Sequence, residues 1–409
     1  MASERSRPVL RPIETIMIAD PERGRMLMLR DTQGVAPSHA ALPAGLVPIV
    51  ARFTGEQTCA EIARAVSRES GEEVPTELVV EVAEELEAAL FVDGPRYRAA
   101  RARIEREFAD AAVRPASHAG GAYHADPVKL ATYIDKQCLE RAQPRERPRG
   151  RLKGLVAPHI DPWRGAACYG HAYEALRGAL TEDVDTFILL GTSHAPMRSP
   201  FALCRKAFDT PLGPIEADVE AIDTLAAACD FEPYADQFNH KREHSLEFQA
   251  VFLRHLLGSR RAKIVPVLAG LGAHQVRGTD PSGDPTVERF LDALRGVVSS
   301  RRAIVIAGAD LAHVGPRFGD AQPLDDRERR ALDERDRQSL EHAARGDARR
   351  FWADVAADLE TRRVCGLAPV YSLLRVLDDG ARGDVCHYEQ TVDPEEGSIV
   401  SHAAVAFHG

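Results

Sequence analysis

The chain has 409 residues, of which 44% are hydrophobic and 28% charged, and its formal net charge is −10. This length allows one large and one small domain, and the composition is that of a soluble globular protein. The acidic balance excludes a broad nucleic-acid surface, because phosphate binding needs a basic stripe, and it argues against binding to anionic membranes.

The sequence carries no recognisable membrane or export signal. No apolar run approaches the roughly 20 residues that cross a bilayer, and the first residues lack the apolar core of a signal peptide. The seven cysteines are scattered and include no Cys-x-x-Cys pair, which excludes a zinc ribbon and disfavours a disulfide framework. We therefore expect a cytoplasmic protein with reduced cysteines.

Residues 1–110 are predicted to form a small N-terminal α+β domain followed by a charged helical connector. The apolar pattern and turn residues predict the elements in chain order: a strand at 26–29, helices at 44–53, 59–70 and 77–90, a closing strand at 91–93 and a connector helix at 96–110. The third helix is rich in glutamate, which excludes DNA binding through this domain because its charges repel phosphate.

A short motif in this domain resembles the winged-helix-like PqqD fold. Residues 55–63 carry its Gly-x-x-Thr-x-x-Glu-Ile-Ala pattern. The resemblance implies that the domain docks a peptide or a partner protein. An accessory packing domain is the alternative that we favour, because a fold does not by itself specify a function.

Residues 111–409 are predicted to form one α/β domain. Strands at 154–158, 185–193, 263–268 and 303–308 are continuously apolar and alternate with helices, and two strands at 385–391 and 399–407 close the chain. We read residues 201–215 as a hairpin. This pattern predicts a largely parallel sheet covered by helices on both faces.

Histidines follow two of these strands, which we expect to lie side by side. His159 ends the first strand and His194 the second, and Asp310 and His313 follow the strand at 303–308. Because the carboxyl ends of parallel strands meet at one edge of a sheet, these side chains predict a ligand site there. Imidazole and thiolate ligands favour Fe, Cu or Zn over Mg. Spacing alone leaves the remaining ligand open among Cys365, Glu247, Asp310, His313 and His244.

From about residue 114 onward, an ordered series of motifs resembles the Memo family, known in bacteria as protein B of the AmmeMemoRadiSam set. The motifs are Ala-Ser-His-Ala-Gly at 116–120, Ala-Pro-His at 157–159, Gly-Thr-Ser-His at 191–194, Glu-His-Ser-Leu-Glu at 243–247, Ile-Val-Pro-Val at 264–267, Asp-Leu-Ala-His-Val-Gly at 310–315 and Val-Cys-Gly at 364–366. The N-terminal region fits the longer bacterial members.

The resemblance implies the fold of LigB-type class III extradiol dioxygenases, which hold non-haem Fe(II) with two histidines and a glutamate. In Memo-like proteins a cysteine replaces the carboxylate. The resemblance therefore implies His159, His194 and Cys365 as metal ligands, with Fe(II) as the expected ion and Cu or Zn as alternatives. It further implies that Asp310, His313 and His244 surround the ion as catalytic residues, and we expect Glu247 to pair with a ligand histidine or with Arg242.

Three functions are compatible with this pattern. The first is a non-haem iron or copper oxidoreductase that acts on a small molecule or a peptide, together with a radical-SAM enzyme and an AMMECR-like protein. The second is a non-catalytic protein that binds a peptide or partner in the same pocket. The third is catalysis by the Cys365 thiol with a histidine base. The sequence does not specify a substrate, because residues 160–162 and Ala368 depart from the pattern of the animal members.

Overall fold

The computed structural model describes residues 2–20, 22–142, 150–181, 184–377 and 380–409, with the side chains of residues 19 and 273 left aside. The chain divides into two compact units, Met1–Asp110 and Ala111–Gly409. Among the described residues, no helix is both long and apolar enough to cross a lipid bilayer.

The N-terminal unit is a three-stranded antiparallel sheet with helices, in the order β1-β2-β3 across the sheet. Its elements are β1 (Glu14–Asp20), β2 (Gly24–Arg30), β3 (Ala40–Pro43), α1 (Val47–Val50), α2 (Cys59–Ser70), α3 (Thr76–Ala88) and α4 (Pro95–Asp110). The predicted helix at 59–70 is confirmed, and a capping box between Thr58 and Glu61 explains its start. The helix predicted at 44–53 is shorter than expected: a 3-10 turn at Ala44–Leu46 leads into α1, which ends at Val50, and Pro48 lies in the first turn of α1, where its missing N–H is tolerated.

The second unit is built on a nine-stranded mixed sheet, in the order β12-β14-β5-β11-β6-β10-β7, with β13 beside β14 and β9 beside β10. The strands, together with the separate pair β4 and β8, are β4 (Val113–Arg114), β5 (Leu152–Ala157), β6 (Thr186–Thr192), β7 (Phe201–Leu203), β8 (Ala207–Phe208), β9 (Glu216–Ala217), β10 (Lys263–Ala269), β11 (Ile304–Gly308), β12 (Asp310–Val314), β13 (Arg382–Val392) and β14 (Ile399–His408).

Helices cover both faces of this sheet. They are α5 (Pro127–Tyr133), α6 (Ala166–Arg177), α7 (Val219–Ala228), α8 (His244–Leu257), α9 (Ala273–Arg277), α10 (Pro285–Arg301), α11 (Asp326–Ala344), α12 (Ala348–Ala356), α13 (Leu359–Arg362) and α14 (Leu367–Val376). Helices α6 and α8 contact one face, while α7 and α14 contact the other, where the largest apolar core lies.

The unit has the predicted α/β class, but the prediction of a largely parallel sheet needs correction because the sheet is mixed. Strands β5, β11, β6 and β10 run parallel. Strand β14 runs antiparallel to β5, β12 and β13, and β7 runs antiparallel to β10. The last two strands follow each other without a crossover helix, and a direct connection of this kind permits only antiparallel pairing.

Two further expectations need correction at the level of strand pairing. The hairpin expected at 201–215 is present only at its end, where Phe208 and Ile215 form an antiparallel bridge around the intervening turn, while β7 pairs with β10 and β8 with β4. Strands β5 and β6 are not neighbours, because β11 lies between them and pairs with both. The order of strands in a parallel sheet depends on crossover connections that the local sequence does not encode.

Candidate metal centre

His159 lies just beyond β5 and is fixed by its backbone and its ring. Its N–H donates to Asp310 Oδ1 at 2.8 Å, and its ring Nδ1 lies 2.9 Å from the carbonyl oxygen of Gly308. Since a carbonyl oxygen only accepts, Nδ1 carries a proton and donates it. In the neutral ring, Nε2 therefore presents its lone pair, and the histidine is 2% exposed.

His194 lies just beyond β6 and is held by Glu243, the residue before α8. The carboxylate accepts from the His194 backbone N–H at 2.9 Å and from Nδ1 at 3.0 Å. Burial alone would lower the pKa of His194, but the Glu243 carboxylate outweighs it and raises that pKa well above its ordinary value. The same carboxylate therefore sets the position of this ring and holds a proton on Nδ1, which leaves Nε2 as the nitrogen that an ion can bind.

His244 opens α8 and completes a group of three imidazoles. The ligand nitrogens of His159, His194 and His244 all lie within 4.8 Å of one another. The ring centroids of His194 and His244 are 4.5 Å apart and nearly parallel, and His159 stands edge-on to both. The side chains of His194 and His244 are 34% and 31% exposed, so the group is open to solvent on one side.

His159 and His194 meet although they follow strands that are not neighbours. Strands β5 and β6 are two inter-strand spacings apart, or about 10 Å, yet the ring centroids of His159 and His194 are 5.1 Å apart. The intervening β11 ends at Gly308, whose carbonyl oxygen holds the His159 ring. A Cβ at Gly308 would lie 2.2 Å from the carbonyl oxygen of Ser245, so glycine permits the close approach of α8.

Cys365 reaches the same point from the turn before α14. Its Sγ lies 3.1 Å from His159 Nε2. The turn is fixed on both sides, because Thr192 Oγ1 donates to the Cys365 carbonyl at 3.0 Å and the Gly366 N–H donates to the Asp310 carbonyl at 3.0 Å. The thiol therefore belongs to the centre although it is 206 residues away from His159 in the sequence.

The thiol and the imidazole stabilise each other's charged forms. Burial would raise the pKa of Cys365, but the neighbouring charge and hydrogen bond of His159 lower it to about 6. Burial would likewise lower the pKa of His159, but Cys365 and then Asp310 raise it to about 9. In the metal-free protein at neutral pH, the pair is therefore a thiolate beside an imidazolium.

This pair makes Cys365 selectively reactive in the metal-free protein. We expect iodoacetamide to label Cys365 with a rate that rises through a pKa of about 6, so that labelling at pH 5 is roughly tenfold slower than at pH 7.5. Mass spectrometry of the labelled peptides measures it. The half-buried Cys229, whose pKa burial raises to about 11, is the control and should label slowly throughout this range. Equal rates at both cysteines would contradict the thiolate assignment.

The other residues predicted to surround the centre differ in their closeness to it. Asp310 binds the His159 backbone, and its Oδ2 lies 3.7 Å from His159 Nε2. His313 lies further along β12, where its Nδ1 contacts the Leu311 carbonyl and its ring stands edge-on to Phe318. Burial lowers the pKa of His313 to about 4, so this ring is neutral at physiological pH.

Glu247 does not pair as expected. The carboxylate lies neither against Arg242 nor against the three-imidazole group, but forms a buried ion pair with Arg114. It also accepts from the His118 backbone N–H at 2.8 Å, contacts the His118 ring at 2.9 Å and accepts from the Tyr123 hydroxyl. The ring of His118 in turn stands edge-on to His244, with centroids 5.8 Å apart. Glu247 thus fixes residues 114–123 beside the centre.

Three groups that position the centre were not predicted from the sequence. Glu243 precedes His244 within a recognised motif, but nothing in the spacing indicates that its carboxylate binds His194. The carbonyl of Gly308 acts through the backbone and has no sequence signal. Arg114 is a single arginine in a short strand, and its partner is 133 residues away, which only the tertiary fold brings near.

Comparison with known proteins identifies the chain. The family model described as Memo-like protein matches residues 114–406. The chain belongs to the Memo-like family. This finding confirms the resemblance read from the ordered motifs.

Memo-like relatives extend over both units. A MEMO1 family protein of Aquifex aeolicus (strain VF5) is 24% identical over 390 residues, covering 94% of this chain and 96% of the relative. The MEMO1 family protein TTHA0924 of Thermus thermophilus is 27% identical over 325 residues, covering 78% of this chain and 90% of the relative. Among solved structures, the uncharacterized protein JW3007 of Escherichia coli K12 aligns with a TM-score of 0.39 and 15% identity, over 63% of this chain and 100% of that one.

The donor set of this Memo-like chain fits a transition ion. The rings of His159 and His194 both engage their Nδ1 atoms with acceptors, which is the arrangement that metal-ligating histidines use to present Nε2. Nitrogen and sulfur donors suit Fe, Cu or Zn and not Mg or Ca. The three-imidazole group could therefore hold a metal ion.

Gly308, at the end of β11, should not tolerate a side chain. We expect Gly308→Ala to destabilise the second unit by about 1–3 kcal/mol, since the added Cβ overlaps the Ser245 carbonyl and must displace α8. Tryptophan fluorescence in urea measures this unit, because the chain's two tryptophans, Trp163 and Trp352, both lie in it. Gly296→Ala in α10 is the matched control, since it meets open space and should be neutral or stabilising. Equal stability of both variants would contradict the packing argument.

Proposed function

We propose that this Memo-like protein is a metal-dependent oxidoreductase in which His159, His194 and Cys365 hold one redox transition ion. Fe(II) is the ion that we expect, with Cu as the redox-active alternative; Zn would fit the same donors but supplies no redox chemistry. The observation that carries the proposal is the pair of Nδ1 contacts that these histidines make with the Gly308 carbonyl and the Glu243 carboxylate, which leave both Nε2 atoms as the nitrogens that can bind an ion.

When bound, an Fe or Cu ion with open positions supplies one-electron and O₂ chemistry. The protein's own groups account for positioning and for protons. Asp310 holds the His159 backbone, and Glu243 holds His194. Burial and the neighbouring His194 charge lower the pKa of His244 well below its ordinary value. Its neutral, partly exposed ring is then available to accept a proton from a substrate.

The substrate reaches the centre from the solvent side of His194 and His244. A small molecule or a peptide fits this access, and the ring-cleavage chemistry of LigB-type enzymes is supported only by analogy of fold. We also propose that the protein is cytoplasmic and works with a radical-SAM enzyme and an AMMECR-like protein. We further propose that the larger unit has the LigB-type arrangement and the smaller unit the PqqD-like fold.

Two other functions each have one supporting observation. Thiol catalysis is favoured by the contact of 3.1 Å between Cys365 Sγ and His159 Nε2, which places a nucleophile beside a base. Non-catalytic binding of a peptide or partner is favoured by the 39% exposure of Trp163, an aromatic ring four residues after His159.

Elemental analysis of the protein purified without oxygen tests the proposal. We expect stoichiometric Fe or Cu, and oxygen consumption with an added reductant that disappears on chelation and returns on reloading. Folded protein that takes up no ion after reloading would overturn the proposal. Activity of such metal-free protein that is lost on alkylation of Cys365 would instead support thiol catalysis, and peptide binding without metal would support the non-catalytic role.

A further inference from the structure

The second unit has a large cleft at the sheet edge opposite to the candidate metal centre. It is lined by the first residues of β6, β9 and β10, which are Thr186, Glu216 and Lys263, and we call it the amino-end cleft. His194 follows the other end of β6, whose seven residues extend over roughly 20 Å. The cleft has a volume of about 690 Å³, which is within the range of about 300–1,000 Å³ for sites that bind small molecules. It is therefore a separate place where a small organic ligand fits.

The loop between α8 and β10 gives the amino-end cleft a basic wall. Arg260, Arg261 and Lys263 line it from this loop and from the start of β10. Arg260 Nη2 donates to the carbonyls of Thr181 at 2.6 Å and Val184 at 3.1 Å, so the backbone fixes this guanidinium without compensating its charge. Arg261 and Lys263 are exposed, and within the part of the chain that the structure describes none of the three cations forms an ion pair.

The carboxylates of the amino-end cleft do not neutralise this basic wall. Asp218 and Glu220 bind Arg301, at 3.1 Å and 2.8 Å, and so compensate a different cation. Asp185 accepts from the hydroxyl of the next residue at 2.9 Å. Glu216 is the exposed carboxylate that remains in the cleft. Because cations without an ionic partner outnumber such carboxylates here, the cleft attracts an anion although the whole chain is acidic.

We propose that the amino-end cleft binds a small organic phosphate, with the phosphoryl group on the basic wall. Guanidinium forks and an ammonium suit phosphoryl oxygens, and three cations match a phosphate dianion better than a single carboxylate. Leu212 and Pro214 line the same cleft and supply apolar surface for the organic part. Their turn is ordered, since the Thr210 hydroxyl donates to the Gly213 carbonyl at 2.7 Å. The site goes beyond the proposed function and does not depend on a metal ion.

Isothermal titration calorimetry of the full chain tests the proposal, with AMP as the probe. We expect one AMP to bind per chain and adenosine to bind at least about tenfold more weakly, because the phosphoryl contacts supply most of the affinity. Inorganic phosphate should compete with AMP, since it occupies the same basic wall.

Single variants locate the site. Arg261→Gln and Lys263→Gln, which change exposed side chains, should each weaken AMP binding by about five- to tenfold. Glu216→Gln should strengthen AMP binding by about two- to fivefold because it removes a like charge, and a folding defect does not produce such a gain. Arg330→Gln on α11 is the matched control, since it removes an exposed cation outside the cleft and should leave the affinity unchanged.

Three results would overturn the proposal: no binding of AMP to the wild type, binding of adenosine as tight as that of AMP, or equal affinities in all four variants. Metal-free and metal-loaded protein should bind AMP equally, since the two sites lie at opposite ends of β6. AMP binding that requires the metal would place the ligand at the metal centre and would also overturn the proposal. Failure of the protein to take up an ion overturns the proposed function alone.

Discussion

Replacing His159 by alanine should remove the metal from the protein without unfolding it. The ring belongs to the proposed ligand set, and its Nε2 lies 3.1 Å from Cys365 Sγ. Its loss should therefore weaken binding of Fe(II) and Cu(I) alike by more than about 100-fold. Elemental analysis after anaerobic purification, together with chelator competition, measures the effect. His194→Ala should behave in the same way, since it belongs to the same proposed ligand set.

A buried histidine outside the centre provides the control. His240 is fully buried and binds the Ala202 carbonyl through Nε2, and burial lowers its pKa to about 4. His240→Ala should lower the free energy of unfolding by about as much as His159→Ala, roughly 1–3 kcal/mol for a buried side chain that loses its hydrogen bond. Unlike His159→Ala, it should retain the metal. Metal retained by His159→Ala, with an unfolding midpoint like that of His240→Ala, would exclude His159 as a ligand.

Replacing Arg114 by alanine should destabilise the second unit by roughly 3–5 kcal/mol. The guanidinium and the Glu247 carboxylate are almost completely buried, so removing the cation leaves an uncompensated charge inside the protein. Arg114 also donates to the His240 carbonyl at 2.9 Å and to the Glu243 carbonyl at 3.0 Å, contacts that the variant loses. Urea unfolding followed by tryptophan fluorescence measures the change.

The pH dependence of unfolding gives a second test of the ion pair between Arg114 and Glu247. Burial would raise the pKa of Glu247, but Arg114 and His118 outweigh it and lower the pKa to about 2. Because the folded-state pKa lies below the ordinary value, the ion pair stabilises the protein fully above about pH 4.5 and loses this contribution as the pH falls toward 2. The difference corresponds to roughly 3 kcal/mol, and Arg114→Ala should reduce this part of the acid dependence.

An exposed pair at the C-terminal end of α11 is the matched control. Arg345 and Glu341 form an ion pair with side chains that are 59% and 58% exposed. Arg345→Ala should change the free energy of unfolding by less than about 1 kcal/mol, since exposed pairs contribute little. Similar losses for Arg114→Ala and Arg345→Ala would mean that the buried pair does not support the fold around the centre.

Much of the fold followed from local patterns, because continuous apolar runs and alternating helices leave few other arrangements. The helix at 59–70 and the central parallel strands were predictable for this reason. The insertion of β11 between β5 and β6 was not, because strand order depends on long connections. The antiparallel pairing of β14 with β5 was missed for the same reason.

The sequence by itself determined the family and the two histidines at strand ends, because strand-end positions and ordered motifs are local properties of the chain. The tertiary structure decided which groups act with them. It joined Glu243 to His194, the Gly308 carbonyl to His159, and Arg114 to Glu247. It also brought His244 and Cys365 close to His159 and His194. Each of these contacts joins side chains or carbonyls on separate elements, so it depends on how helices and strands pack and has no periodicity or spacing that a sequence could reveal.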